Sequence, residues 1–254
     1  IMTDITQTGD QPSRLTRNYT LGMLVAIYAS SHVDRQIVSI LAESIKQDLL
    51  LSDTQLGFLI GLSFAIFYAT LGIPIAILAD RYSRRNIIAI SVIIWSGMTA
   101  LCGLAGSYVQ LALARIGVGI GEAGSSPPSH SMISDLYPPE KRATAMGIYA
   151  AGINVGVLLG FLVGGWIDEW YGWRMAFFVV GLPGILLGLL MFFTVQEPTR
   201  TQAPKPMPKN IFTEVWETFK IMMAIPSLRH IVIGTTLVVF VGYGALYWNG
   251  VYFR

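Results

Sequence analysis

The sequence predicts an all-α polytopic membrane protein. Hydrophobic residues make up 53% of its 254 residues and charged residues only 13%, whereas a soluble domain carries about 25% charged residues. Apolar stretches long enough to cross a bilayer recur along the chain, and the basic residues gather in alternate gaps between them. A hydrocarbon core of about 30 Å needs about 20 apolar residues in a helix. Residues near 20–42, 54–78, 87–106, 109–136, 143–167, 173–194 and 228–252 meet that requirement, which gives seven candidate helices.

Orientation follows from the cations. If the helices alternate, Arg14, Arg17, Arg81, Arg84, Arg85, Lys141, Arg142, Arg200, Lys205, Lys209, Lys220 and Arg229 fall on one side, and Lys46, Arg174 and Arg254 on the other. The N-terminus and the connection between the sixth and seventh helices are therefore expected in the cytoplasm. The net charge of +2 sits in those loops as a topogenic signal and implies no nucleic-acid partner. Cys102 is the only cysteine, so neither an intrachain disulfide nor a cysteine-rich metal site can form. The polar first 18 residues predict no cleavable signal peptide.

The first helix is interrupted by Asp34 and Arg35, with Ser31 and His32 just before them. Ser52 or Asp53 can cap the outer end of the second helix, which contains Pro74 and leaves into the basic turn LADRYSRR, residues 78–85. A short Gly106-Ser107 link separates the third helix from the fourth. The fourth carries Arg115 and Glu122 seven residues apart, roughly 10.5 Å along one face. Pro127 and Pro128 in its cytoplasmic half predict a local bend. The fifth helix follows PPEKR and places Gly152, Gly156, Gly160 and Gly164 at four-residue spacing, a stripe against which another helix can pack closely. After the sixth helix the Pro-rich run QEPTRTQAPKPMPK reads as a linker. Ile211, Phe212, Val215, Trp216, Phe219, Met222 and Met223 then repeat at helical spacing, as in a helix lying along the cytoplasmic membrane surface.

These motifs resemble the first half of a major facilitator superfamily transporter. LADRYSRR is similar to the superfamily's loop between helices two and three, RIGVGIGEA to its fourth-helix pattern and GINVGVLLG to its glycine-rich fifth helix. DRQ in the first helix, with SDLYPPEKR and VQEPTR later, resembles more narrowly the spinster family. Ala76 and Ser83 stand where the loop pattern has glycine, and Val157 where the superfamily's antiporters have proline. The resemblance implies two six-helix bundles working by alternating access. On that reading residues 1–18 are a cytoplasmic tail, 19–195 the N-terminal bundle, and 196–226 a cytoplasmic linker with its amphipathic helix. Residues 227–254 are the seventh helix, the start of a C-terminal bundle whose remainder is expected beyond this chain. The complete protein is expected to be a monomer.

Asp34, Arg35, Arg115 and Glu122 are ions inside spans, each costing about 2.5–3.5 kcal/mol if unpaired, so they must be mutually arranged. Counting helical rise puts Asp34 and Arg115 at about the same depth. The expected pair is Asp34 with Arg115, leaving Glu122 deeper towards the cytoplasm to change protonation separately. Arg35 and Arg115 are candidates to bind an anionic headgroup, because a guanidinium offers a planar fork to phosphate or carboxylate. Asp34 and Glu122 are candidates for proton coupling, so substrate and protons are expected to compete for the same arginines. Asp80, Arg81, Arg84 and Arg85 are candidates for a conformational switch made of ion pairs present in only one state.

Tyr28, Ser31, Phe64, Tyr68, Tyr149, Tyr243 and Trp248 are candidates to line an amphipathic cavity. His32 and His130 read as hydrogen-bonded wall residues; no second ligand lies at metal-binding spacing, and neither metal nor cofactor is expected. No nucleophile–base arrangement suggests an enzyme. Family members carry sphingosine 1-phosphate or lysophospholipids, and some are proton-coupled. The resemblance therefore implies a proton-linked carrier of an amphiphilic anion in a lipid bilayer. The alternatives are a carrier of a small polar organic anion and a non-transporting half-bundle that partners another subunit. The expected location is the inner membrane in a bacterium, or an endolysosomal or plasma membrane in a eukaryote.

Overall fold

In a computed structural model describing residues 13–200 and 210–252, the chain is helical throughout its ordered elements. It divides into two units, residues 1–203 and 204–254. In the first unit α1 runs Arg14–Ile40 and α2 Ala42–Leu49; α3, Asp53–Gly57, passes through a π-helical turn, Phe58–Leu62, into α4, Ser63–Ala79. Then come α5, Arg84–Cys102; α6, Tyr108–Glu122; α7, Ser126–Leu136; α8, Pro139–Tyr171; and α9, Trp173–Thr194. The second unit holds α10, Ile211–Ala224, and α11, Pro226–Tyr252.

Side-chain caps set several starts. Ser13, Ser83 and Ser107 each accept a bond from the backbone N–H three residues on, and Ser52 with Gln55 forms a reciprocal capping box at α3. Leu50 ends α2 at φ 52°, a left-handed conformation that costs a leucine about 1–2 kcal/mol. Gly172, at φ 80°, makes the turn between α8 and α9.

The bend expected at Pro127 and Pro128 is a complete break. The fourth pass divides between Glu122 and Ser126, and the two prolines lie in the first turn of α7. A proline there lacks only an N–H that a helix start leaves unbonded, so it begins a new helix instead of kinking an old one. Among the described residues four helices are individually long and apolar enough to cross a membrane. Neither α1, with His32, Asp34, Arg35 and Gln36 in its sequence, nor the divided fourth pass is among them. These two passes hold the four intramembrane ions, and α11 reaches the measure only together with α10.

Glycines let these helices approach. The stripe on α8 faces α1: a methyl at Gly152 would lie 3.1 Å from Val25 O, at Gly160 3.0 Å from Gln36 Cβ and at Gly164 2.7 Å from Ile37 Cδ1, while at Gly156 it would collide with Ala29 O. α9 meets α5 in the same way, Gly181 lying where a Cβ would be 2.7 Å from Ala100 N. α6 packs against both α4 and α5, because Gly119 admits the Phe64 backbone and Gly121 that of Trp95; a methyl added at either glycine would meet its nearest atom at 2.7 Å. Trp95, Leu24, Ile27, Val92, Val118, Met132 and Ile133 form one buried cluster; Ile37, Leu41, Ile45, Leu59, Leu111 and Phe177 form another. Leu158, Leu162, Trp166, Leu186 and Phe193 face outward, as lipid-contacting side chains do.

The loops at the Asp53 end are tied by polar contacts. Arg174 bonds Asp48 at 2.7 Å and the Ala105 carbonyl at 3.1 Å, Ser44 donates to Asp168 at 2.5 Å, and Lys46 meets Asp53 at 2.6 Å. In the second unit Asn210 caps α10, and the helical segments Val215–Ala224 and Pro226–Gly242 meet at 105°. Ile225, the residue before Pro226, is extended, as the following ring requires. Together they are long and apolar enough for one broken span.

Close packing at the glycine stripe makes a direct prediction. Gly156→Ala should destabilise the detergent-solubilised protein by about 1–3 kcal/mol through overpacking. Gly165→Ala, on the same helix with nothing within 4 Å of the new methyl, should be neutral or slightly stabilising. Thermal unfolding followed by loss of the monodisperse fraction compares the two, and equal midpoints would show that the α1–α8 contact yields freely.

Candidate functional site

Adjacent residues on a helix point about 100° apart, so Asp34 and Arg35 leave α1 in different directions. Arg35 reaches α6, where its Nε donates to Glu122 Oε2 at 2.8 Å. Its guanidinium carbon lies 4.9 Å from the Phe64 ring and 4.7 Å from the Tyr68 ring, two stacked aromatics on α4. The Arg115 guanidinium carbon lies 5.7 Å from Phe64 on its own side. Phe64 is thus shared between both arginines. The π-helical turn ends just before Ser63, and its extra residue per turn sets the direction in which Phe64 and Tyr68 project.

Glu122 is completely buried, while the Arg35 side chain keeps 13% of its surface exposed. Asp34 is also completely buried; Arg115 and Glu122 of α6 act on it electrostatically, and Thr99 and Trp95 of α5 approach it as hydrogen-bond donors. Among the described residues Asp34 closes no ion pair with Arg115, whose Nε and Nη1 make no hydrogen bond. The expected Asp34–Arg115 ion pair is therefore replaced by Arg35–Glu122. Depth along the helices places Asp34 beside Arg115, but depth carries no azimuth, and it is azimuth that turns Arg35 to Glu122.

Further along α1 the predicted cavity residues split by role. Tyr28 stacks on Tyr149 at 4.3 Å between ring centres, with His32 edge-on to Tyr28 at 4.6 Å and His130 edge-on to Tyr149 at 5.2 Å. The Ser31 hydroxyl donates to the Tyr28 carbonyl at 2.9 Å, which the His32 Nδ1 also contacts at 2.9 Å. His130 Nδ1 lies 2.8 Å from the Ser126 carbonyl. Both histidines are held by their own helices. Tyr243 and Trp248 fall on α11, and their side chains lie outside the described residues.

At the other end of the unit the hub is Arg84, almost wholly buried. Its Nε donates to Glu197 at 2.8 Å, Nη1 to Asp135 at 2.5 Å and to Ser131 at 2.9 Å, and Nη2 to the Pro198 carbonyl at 2.9 Å. Glu197 also accepts from the Ser83 hydroxyl and the Arg85 N–H, each at 2.8 Å. Arg85 stacks over Phe192 at 5.4 Å and reaches the Val195 carbonyl. The guanidinium of Arg200 closes the end of α4, bonding the carbonyls of Ala79, Asp80 and Tyr82. Among the described residues no ion pair reaches the Asp80 carboxylate, so Asp80 contributes its backbone here and Arg84 makes the charged contacts.

Sequence reasoning missed Trp95 and Thr99, and it missed Glu197 and Asp135 as partners of Arg84. Thr99, with Ser96 beside it, is a polar break in an apolar helix, and that signal was available. The two carboxylates stand in SDLYPPEKR and VQEPTR, whose likeness to a family says nothing of what they touch.

A family model described as Major Facilitator Superfamily matches residues 24–253. The chain is 34% identical over 223 residues to an MFS-type efflux pump of Mycolicibacterium smegmatis, covering 88% of this chain and 51% of that protein. It is 29% identical over 202 residues to a probable galactarate/D-glucarate transporter of Bacillus subtilis, covering 77% of this chain and 44% of the other. Among solved structures, a bacterial homologue of the human lysosomal transporter Spinster, inward-facing and unoccupied, superposes with a TM-score of 0.79 at 39% identity, covering 94% of this chain and 55% of that one. The chain spans about half the length of the curated relatives it matches. Its helical passes, its ion-bearing first and fourth helices and these matches agree: the chain belongs to the Major Facilitator Superfamily, with a spinster homologue among its structural matches.

Proposed function

We propose that the whole protein is a secondary transporter that carries an amphiphilic anion, of the sphingosine 1-phosphate or lysophospholipid kind, by alternating access coupled to the protonation of Glu122. The observation that carries this reading is the Arg35–Glu122 pair. Arg35 gives Nε to Glu122, and its partly exposed side chain, flanked by Phe64 and Tyr68, keeps guanidinium N–H groups with which to meet a phosphate or carboxylate. The aromatic rings of Phe64 and Tyr68 offer apolar surface beside that cation for a hydrocarbon tail, and the lipid class is what the resemblance of the sequence to the spinster family implies.

The chemistry orders the steps. Ionised Glu122 and an incoming anion compete for Arg35. Protonation of Glu122 removes one competitor and would leave a buried cation uncompensated, a state that costs several kcal/mol and that the anion relieves. Proton binding and anion binding therefore assist each other, which refines the simple competition expected from sequence. Arg115, wholly buried behind Phe64, serves in this reading as the fixed countercharge of Asp34. The Arg84, Asp135 and Glu197 contacts are the ion pairs of one conformation, whose breaking accompanies the change to the other.

A small polar organic anion is the second reading, favoured by the galactarate/D-glucarate transporter among the relatives. Uptake of a labelled lysophospholipid and of labelled glucarate, by protein expressed from its full reading frame and placed in liposomes, separates the two. In either case Glu122→Gln should abolish the dependence of uptake on a pH gradient, and a retained dependence would remove Glu122 from coupling. Arg35→Lys should raise KM about tenfold, the loss of roughly 1.4 kcal/mol expected when a planar fork becomes a point charge. An unchanged KM would move the headgroup elsewhere. Glu197→Gln, far from the anion, should lower kcat severalfold and leave KM alone; a matching rise in KM would assign Arg84's hub to binding.

A further inference from the structure

Two guanidiniums meet one ring. The Cζ of Arg35 lies 4.9 Å from the centre of Phe64 and that of Arg115 5.7 Å, yet the two cations differ in access. Arg35 keeps 13% of its side-chain surface exposed and is closed onto Glu122. Arg115 is only 1% exposed, and its Nε and Nη1 make no hydrogen bond among the described residues. A buried guanidinium ordinarily gives its donors to carboxylates or carbonyls; these donors of Arg115 are left over, and an aromatic face stands against their group. Like charges repel, so a ring shared by two cations is most stable with one on each face.

The backbone holds Phe64 in that place. Arg115, Gly119 and Glu122 share one face of α6, at helical spacing, and a Cβ at Gly119 would stand 2.7 Å from the Phe64 carbonyl oxygen. Phe64 also follows the π-helical turn Phe58–Leu62, where the buried Ser63 donates to the Leu59 carbonyl at 2.9 Å. Such turns are frequent at functional sites. The Phe64 ring is only partly buried, and Tyr68, one turn on, adds a second ring to Arg35 at 4.7 Å.

We propose that Phe64 is a partition that sets specificity: it leaves Arg35 to meet the substrate anion and withholds Arg115, so the site takes a substrate with one acidic group, a single phosphate or carboxylate. This rests on the transporter reading of the Arg35–Glu122 site and narrows it. One guanidinium fork satisfies one phosphate or carboxylate. A dianion needs a second cation, and the other arginine of the cluster stands behind the ring. With the ring removed, the unused donors of Arg115 become a second fork, and a six-carbon dicarboxylate can bridge the two arginines.

The test uses phenylglyoxal, which modifies arginines that it can reach, on the protein expressed from its full reading frame and placed in lipid, with modified residues located by peptide mass spectrometry. Native protein should react at Arg35 and spare Arg115. Phe64→Ala should react at Arg115 several times faster than native protein, and Phe64→Tyr, which keeps the ring, should spare it again. Should Phe64→Ala fail to fold, Phe64→Val carries the comparison. Protection of Arg35 by added anions reads the specificity, with gluconate, which has one carboxylate, beside glucarate, which has two on the same carbon chain. The two should half-protect native protein at concentrations within about threefold of each other, and glucarate should be about tenfold the better in Phe64→Ala, the worth of one further charge-assisted contact. Arg115 reacting as fast as Arg35 in native protein, Arg115 still spared in the trimmed variant, or the same glucarate preference already present in native protein would each overturn the partition, as would protection by neither acid in either protein. Uptake of both acids and of a lysophospholipid is read separately: the expected reactivities in a protein that moves none of them would sink the transport reading and leave the partition standing.

Discussion

A charge inside a helix bundle that faces lipid has few places to go, and this structure is arranged around that constraint. Moving an ion from water to a low-dielectric interior costs several kcal/mol even after relaxation, and only close opposite charge and hydrogen bonds return it. Two cations and two anions sit between α1, α4, α5 and α6. They balance in sign, but among the described residues one pair alone is closed, Arg35 with Glu122 at 2.8 Å. The polarisable faces of Phe64 and Tyr68 supply further stabilisation to the arginines, an attraction of about 0.5–2 kcal/mol per contact depending on desolvation. Every other feature of the site makes room for this cluster or keeps bulk water from it.

Room is made by small residues. Apolar side chains have no hydrophobic reason to prefer each other to lipid tails, so packing within a membrane depends on contact area, and glycine lets backbones supply it. On α6 the alternation of glycine with larger residues has a consequence for the site. Gly119 and Gly121 draw α4 and α5 onto opposite sides of one helix, while Arg115 and Glu122, on either side of them in sequence, point into the space that remains. A methyl at either glycine would separate Phe64 or Trp95 from the ions they border.

Much of this was legible in the sequence. Hydropathy outlines the helices, the four ions announce themselves by their cost, and the glycine stripe of α8 packs closely on another helix, α1, as its spacing implies. What was not legible has a common cause. Distance along a helix can be counted from a sequence, but rotation about its axis depends on contacts with neighbours, and a single π-helical turn at Phe58–Leu62 alters it for the residues that follow. So depth matched Asp34 with Arg115 while rotation joined Arg35 to Glu122. In the same way LADRYSRR showed a charged turn, but nothing local could say that Arg84 would find Glu197, more than a hundred residues on, in preference to Asp80, four residues away.

The adjacency of Asp34 and Arg35 gives the two halves of the cluster a mechanical link. Both side chains spring from one turn of α1, and α1 is clamped to α8 by backbone contacts that leave no room for a methyl. A rotation of α1 that carried Arg35 away from Glu122 would necessarily swing Asp34 relative to Thr99 and Arg115, because the two residues share a rigid helical turn. A rise in anion occupancy at Arg35 would then be felt as a change in the surroundings of Asp34 without any contact between substrate and carboxylate. Two sites that face different helices can in this way be read by one motion, and the consecutive placement of opposite charges, which looks wasteful as an ion pair, is what couples them.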